Sequence, residues 1–312
     1  WENFGANRTY AIQDAIGKGT HILLMDADFV LSVRDANFKA ALDPLKSYLL
    51  LYEGGLHYRN LKIARGDLDW RWIGVTHEYL AEARADPTAP PHENLDTVSI
   101  EHLCNGSSRA GKFERDIALL RKGLEDEPNN ERYVFYLANS YYDSHDFAHA
   151  ARYYRRRVAM AGFAEEVYYA QYRLGMALYW QQGRMDGAPA AELLKAFRLR
   201  PTRLEALHDL VRHYRTADPH LGFCYGYMAF PGCLRFPHED LLFVDRHVHR
   251  HGFLDELAIC AHYAGQYALA VALNERLLAR AGGEVDVERV RRNLRFSGDA
   301  IGQGQGSEWV QE

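Results

Sequence analysis

Cysteine is scarce in this chain. Cys104, Cys224, Cys233 and Cys260 are the four among 312 residues, and no two form a Cys-x-x-Cys pair. That scatter argues against a disulfide framework and a thiolate zinc site, and it fits a reducing, cytoplasmic location. No apolar run approaches the ~18–20 residues of a membrane-spanning helix, and the first residues do not read as a signal peptide. Neither sign of charge dominates. The net charge of −5 gives no support for nucleic acid or an anionic membrane as partner, and the run at Arg152, Arg155, Arg156 and Arg157 reads as a solvated helix face. What remains is ordinary globular composition, 47% hydrophobic and 25% charged, long enough for two domains that each bury a core.

The most informative stretch is His21-Ile22-Leu23-Leu24-Met25-Asp26-Ala27-Asp28-Phe29. An apolar strand from Thr20 to Met25 runs into two carboxylates at i, i+2. Alternate residues of a strand face opposite ways, so both acids reach one ion only if the strand ends between them. A loop at a buried strand's edge satisfies this, and paired carboxylates there suit a hard divalent cation, Mn²⁺ or Mg²⁺, that also carries substrate phosphates. By itself, Asp-x-Asp equally well closes a strand and opens a turn.

Up to about Ser107 the pattern is mixed. Arg8–Gly17 has helical spacing, Phe38–Leu42 is a short helix stopped before Pro44, and strands are expected at 47–52, 56–64, 70–75 and 97–103. Asp86 to Pro91 is a loop, too rich in proline for a helix. Beyond it the period turns helical. Tyr133–Gly162 and Leu254–Leu277 place Leu, Ala, Gly and Tyr at tetratricopeptide-like positions in a repeat of about 34 residues, with a looser copy across 168–214. His220–Asp240 reads as an irregular insert, and the Gly/Gln-rich end as a tail. The expected division is an α/β part at 1–108, an all-α tetratricopeptide-like helical part at 109–296 and a flexible tail at 297–312.

Three blocks in order carry a resemblance: Trp1-Glu2-Asn3-Phe4-Gly5-Ala6-Asn7-Arg8, Asp26-Ala27-Asp28, and Gly74-Val75-Thr76-His77-Glu78, the last followed by Val98-Ser99-Ile100-Glu101-His102. Over roughly the first hundred residues the chain resembles the second half of a family 2, GT-A-type glycosyltransferase with a Rossmann-like sheet, in the branch that carries tetratricopeptide-like helices. The resemblance implies a metal-dependent, inverting transfer from a nucleotide-sugar, UDP-linked by expectation, to a peptide, glycan or small-molecule acceptor selected by the helices. A homodimer is a further expectation. It also implies that the sequence is a fragment, lacking the strand and nucleotide loop that open such a domain.

The roles implied are specific. Asp28 ligates the metal directly, Asp26 shares the metal or leans towards the sugar or ribose, and His102 is a later metal ligand. Arg8, in the first turn of a helix after a turn permitted by Gly5, reaches the diphosphate or base. Glu78 is the acceptor-activating base, in an aromatic setting (Trp70, Trp72, Tyr79) that suits a proton-accepting carboxylate. His77 orients it or touches the donor, in a block that more often reads Glu-Asp. Trp72 and Trp70 either stack on a sugar ring or pack as core.

His247, His249 and His251 would share one face of a strand and suit Zn²⁺ there. They lie in a helical region flanked by Arg, which weighs against a site. Two rival readings are kept: a non-enzymatic tetratricopeptide-type binding module with a degenerate α/β remnant, and, more weakly, a phosphohydrolase built on Asp26 and Asp28.

Overall fold

The computed structural model describes residues 1–53, 59–83, 92–103, 111–234, 240, 242–280 and 285–303. The proline-rich 86–91 loop and Cys104 lie outside the described residues. The chain divides into two compact units, Trp1–Ser144 and His145–Glu312. An α/β unit is followed by an all-α unit, the order read from the sequence. Strand gives way to helix near residue 110, while the first compact unit continues through two further helices.

The first unit opens with α1 (Phe4–Ala15), capped by Asn3, whose Oδ1 accepts the Ala6 N–H at 2.8 Å. Seven strands follow among the described residues: β1 (His21–Leu23), β2 (Phe29–Val33), β3 (Tyr48–Glu53), β4 (Arg59–Arg65), β5 (Trp70–Ile73), β6 (Tyr79–Glu82) and β7 (Glu93–His102). A curled mixed sheet has the order β1-β4-β3-β7-β2, with β3–β7 its parallel pairing and the others antiparallel. The expected strand at 56–64 is seen as β4 from Arg59, and β2 and β6 occupy stretches that had no expected strand. Strand β1 pairs with β4 alone among the described residues, so β1 and β2 are the two edges. The turn bearing Asp26 and Asp28 therefore joins one edge of the curled sheet to the other.

Strand β3 buries Tyr48, Leu50 and Tyr52 alternately, in a core with Ile63, Leu95, Val98 and Ile100. A second core joins Ile12 of α1 to Leu61, Ala64 and Trp70. Strand β4 lies between them, buried without a break from Leu61 to Ala64. Strands β5 and β6 form a separate hairpin, on which α1 docks. There Gly5 is inside the helix rather than in a preceding turn: a Cβ on it would lie 2.2 Å from the Gly74 carbonyl oxygen. Helices α2 (Lys112–Asp126) and α3 (Glu131–Asp143) close the unit.

The second unit comprises α4 (Phe147–Ala159), α5 (Ala164–Gln182), α6 (Ala188–Leu199), α7 (Glu205–Ala217), α8 (Pro219–Tyr227), α9 (Phe253–Tyr263), α10 (Tyr267–Ala279) and α11 (Val287–Gly302). Consecutive helices pack pairwise around one apolar cluster. Three readings change here. The expected insert at 220–240 begins as helix α8, with Asp218 as its cap. Helix α11 carries residues 297–302 of the expected tail. Arg157 is fully buried rather than solvated, its Nη2 3.0 Å from Glu166 Oε2. Residues Val248–Gly252 are a π-helical turn, in keeping with the helical region expected around the three histidines. His249 on it is buried with Nε2 3.3 Å from Glu205 Oε2, while the His247 and His251 rings lie 6.4 Å apart. Burial alone would raise the Glu205 carboxyl; the His249 contact and the hydrogen bonds and charge of Arg203 bring it down to about 2.

Candidate active site

The Asp26–Asp28 turn is fixed from both sides. Before it, the Leu24 N–H donates to the Lys62 carbonyl at 2.8 Å, extending the β1–β4 pairing by one step. After it, the Leu103 N–H donates to the Asp28 carbonyl at 3.0 Å, and the β2–β7 register sets Phe29 opposite His102. The Phe29 and His102 rings meet edge to face, 5.0 Å between centroids. His102 Nε2 consequently lies 3.1 Å from Asp28 Oδ2.

The two side chains are hydrogen-bonded to each other, and the same spacing would suit neighbouring ligands of a divalent ion. Two adjacent ligand atoms of an octahedral ion with bonds of about 2.1 Å stand about 3.0 Å apart. Asp26 does not join them. Its Oδ1 is bonded to Arg8 Nη2, so the expected trio of Asp26, Asp28 and His102 separates into an Asp28–His102 pair and an Asp26–Arg8 pair. Among the described residues no three His, Cys, Asp or Glu side chains are grouped to hold a metal. A site with two protein ligands is the arrangement that leaves positions for phosphate oxygens and water.

Arg8 is brought in by the α1–β5 packing. The Phe4 N–H donates to the Val75 carbonyl at 3.1 Å, and Thr9 Oγ1 accepts the Trp72 N–H at 2.9 Å. One turn along, the guanidinium lies over the Trp72 ring at 5.0 Å, with its Nε 2.7 Å from Glu78 Oε1. Trp72 thus faces a cation. Trp70 is core, 2% exposed, its indole N–H bonded to the Arg65 carbonyl at 2.8 Å, so it has no ring face to offer a sugar.

His77 and Glu78 are neighbours in sequence with different surroundings. The β5–β6 turn takes left-handed backbone at Gly74 (φ 116°) and His77 (φ 51°), and Glu78 meets Arg8 with its side chain only 11% exposed. His77 instead stacks on Tyr136 of α3, with ring centroids 4.1 Å apart. Its Nε2 is 3.8 Å from Asp116 Oδ2, and its carbonyl accepts both Nε and Nη2 of Arg132 at 3.2 and 2.7 Å. Burial, then the charges of Lys112 and Arg132, push the imidazole down to about 4, while burial raises the Asp116 carboxyl. His77 therefore anchors the turn to α2 and α3 as a neutral ring, not as a partner of Glu78.

Lys62, on β4, was not singled out by the sequence. It is 4% exposed, with its ammonium 4.8 Å from the Phe29 ring centroid and 5.6 Å from that of Tyr52. Burial lowers its pKa, the Asp26 carboxylate opposes that shift, and Arg8 adds to it. A lysine amid Leu61, Ile63 and Ala64 was the available signal, since a strand buried on both faces seldom admits a charge. No protein-family model matches the chain, and no curated protein matches it.

Proposed function

We propose that the protein is a metal-dependent, inverting glycosyltransferase that moves a sugar from a nucleotide-sugar donor to an acceptor selected by its helical unit. The observation that carries this reading is the 3.1 Å Asp28–His102 pair beside an Arg8 shared by two further carboxylates, Asp26 and Glu78.

Asp28 and His102 would hold Mn²⁺ or Mg²⁺, which when bound neutralises charge on a diphosphate leaving group. Arg8 bridges Asp26 and Glu78 and has spare N–H donors for an anionic donor. The Arg8 contact engages Oε1 of Glu78, which leaves Oε2 to take the acceptor's proton in a single displacement at the anomeric carbon. That chemistry needs one base and no covalent sugar–enzyme bond. Trp72 keeps Arg8 in place from its open side.

Incubating the protein with a panel of nucleotide-sugars and Mn²⁺, and following donor hydrolysis or transfer, tests the proposal. Activity that disappears in Asp28→Asn and Glu78→Gln is expected. Full activity in both variants, or no donor-dependent thermal stabilisation with any nucleotide-sugar, would overturn it and favour a binding module.

A further inference from the structure

Lys62 is in no direct ion pair among the described residues. Its ammonium also makes no hydrogen bond among them, although 96% of the residue is removed from solvent. Burying an unpaired cation is costly, and the Phe29 and Tyr52 ring faces offset only part of that cost. The position is central. The Lys62 carbonyl holds the chain entering Asp26, and the Phe29 ring that it faces also contacts His102. The ammonium thus faces the ring that contacts His102 and feels the charges of Asp26, Arg8 and Glu78. Those four residues, Asp28 and Lys62 carry three carboxylates and two fixed cations; Asp26 and Glu78 act on the Lys62 ammonium only at a distance, so among the described residues it is the cation of the group that no carboxylate pairs with directly.

We propose that Lys62 is an anion-binding residue of this site, its ammonium receiving a phosphoryl oxygen of the donor's diphosphate. The identity of that anion rests on the glycosyl-transfer reading; the anion site itself does not. Lysine serves here as a compact point charge.

Inorganic pyrophosphate is the probe, titrated calorimetrically into the whole chain without divalent ions, for the wild type, Lys62→Met and Lys62→Arg. Lys62→Met is expected to weaken binding by about tenfold or more, and Lys62→Arg to retain most of it. Removing an uncompensated buried charge should also raise the melting temperature of the ligand-free protein. Equal pyrophosphate affinity in wild type and Lys62→Met overturns the proposal. So does a lowered melting temperature in Lys62→Met, because that would mean the ammonium already has a structural partner. The two readings fail separately. Lys62-dependent pyrophosphate binding with no turnover of any nucleotide-sugar retires glycosyl transfer and keeps the anion site. Turnover with an unchanged donor KM in Lys62→Met retires the anion site alone.

Discussion

Arg8 Nε lies 2.7 Å from Glu78 Oε1 while its Nη2 bonds Asp26, so one guanidinium on α1 ties together two turns 52 residues apart in sequence. Each carboxylate is held to a position from which it can act on a different part of a substrate. Asp26 gives its Oδ1 to Arg8 and stands outside the Asp28–His102 pair, so only its Oδ2 is left to meet a cation.

Glu78→Gln separates proton acceptance from positioning. The amide oxygen still accepts from Arg8, so the turn keeps its shape. Transfer should fall by about 10²–10⁴-fold in kcat while donor KM stays within about twofold. Steady-state transfer assays at saturating Mn²⁺ measure both, and an unchanged kcat removes Glu78 as the base.

The two aspartates should differ in metal dependence. Asp28→Asn or His102→Ala is expected to abolish the Mn²⁺-induced rise in melting temperature, since each removes half of the protein ligand set. Asp26→Asn should keep most of that rise and lose donor affinity instead. Thermal shift titrations with Mn²⁺ alone and with Mn²⁺ plus donor distinguish the two. Equal loss in all three variants would restore Asp26 as a direct ligand.

Protonation of His77 supplies a pH signature. Its folded value of about 4 lies below the ordinary 6.5, so between these values the unfolded chain binds more protons than the folded one. Stability should fall as pH drops from 6.5 towards 4, by about 1–2 kcal/mol after allowing for the ring's partial exposure. Lys112 and Arg132 act in the same direction as burial. Asp116, raised by burial, acts oppositely, its stabilising contribution growing as pH falls. Urea unfolding of the wild type and His77→Asn, a residue that tolerates left-handed backbone, should show this slope in the wild type alone.

Much of this was legible in the sequence, for identifiable reasons. The apolar run ending in Asp26 marked β1 and its turn, and Ala, Leu and Tyr spacing marked the helices of the second unit. Strand β2 was hidden because Phe29-Val-Leu-Ser-Val follows directly on the acidic turn. Helix α8 was hidden by its glycines, which act through packing: a Cβ on Gly226 would meet Leu257 Cδ1 at 2.6 Å. Arg157 and Lys62 were invisible for a shared reason. A charge looks solvated until its surroundings are known, and Glu166 beside one and the Phe29 and Tyr52 rings around the other are tertiary facts.

Gly5→Ala tests whether the approach of α1 to the β5–β6 hairpin builds the site. Alanine is favoured over glycine inside a helix by about 1 kcal/mol, so propensity alone forecasts stabilisation. Against it, the new Cβ would lie 2.2 Å from the Gly74 carbonyl oxygen and 3.1 Å from that of Trp72, both backbone atoms. Neither can swing aside as a side-chain end would, so the whole helix must shift. That cost, about 1–3 kcal/mol or more, outweighs the gain. The contrasting position is Gly298 in α11, where an added Cβ meets nothing within 4 Å and propensity should prevail. Urea denaturation is expected to show Gly5→Ala destabilised and Gly298→Ala stabilised. Because Arg8 rides on the displaced helix one turn away, Gly5→Ala should also weaken donor binding in thermal shift assays, which Gly298→Ala should not. Stabilisation by Gly5→Ala would mean that α1 does not touch the Gly74 turn, and the Arg8–Glu78 contact would fall with it.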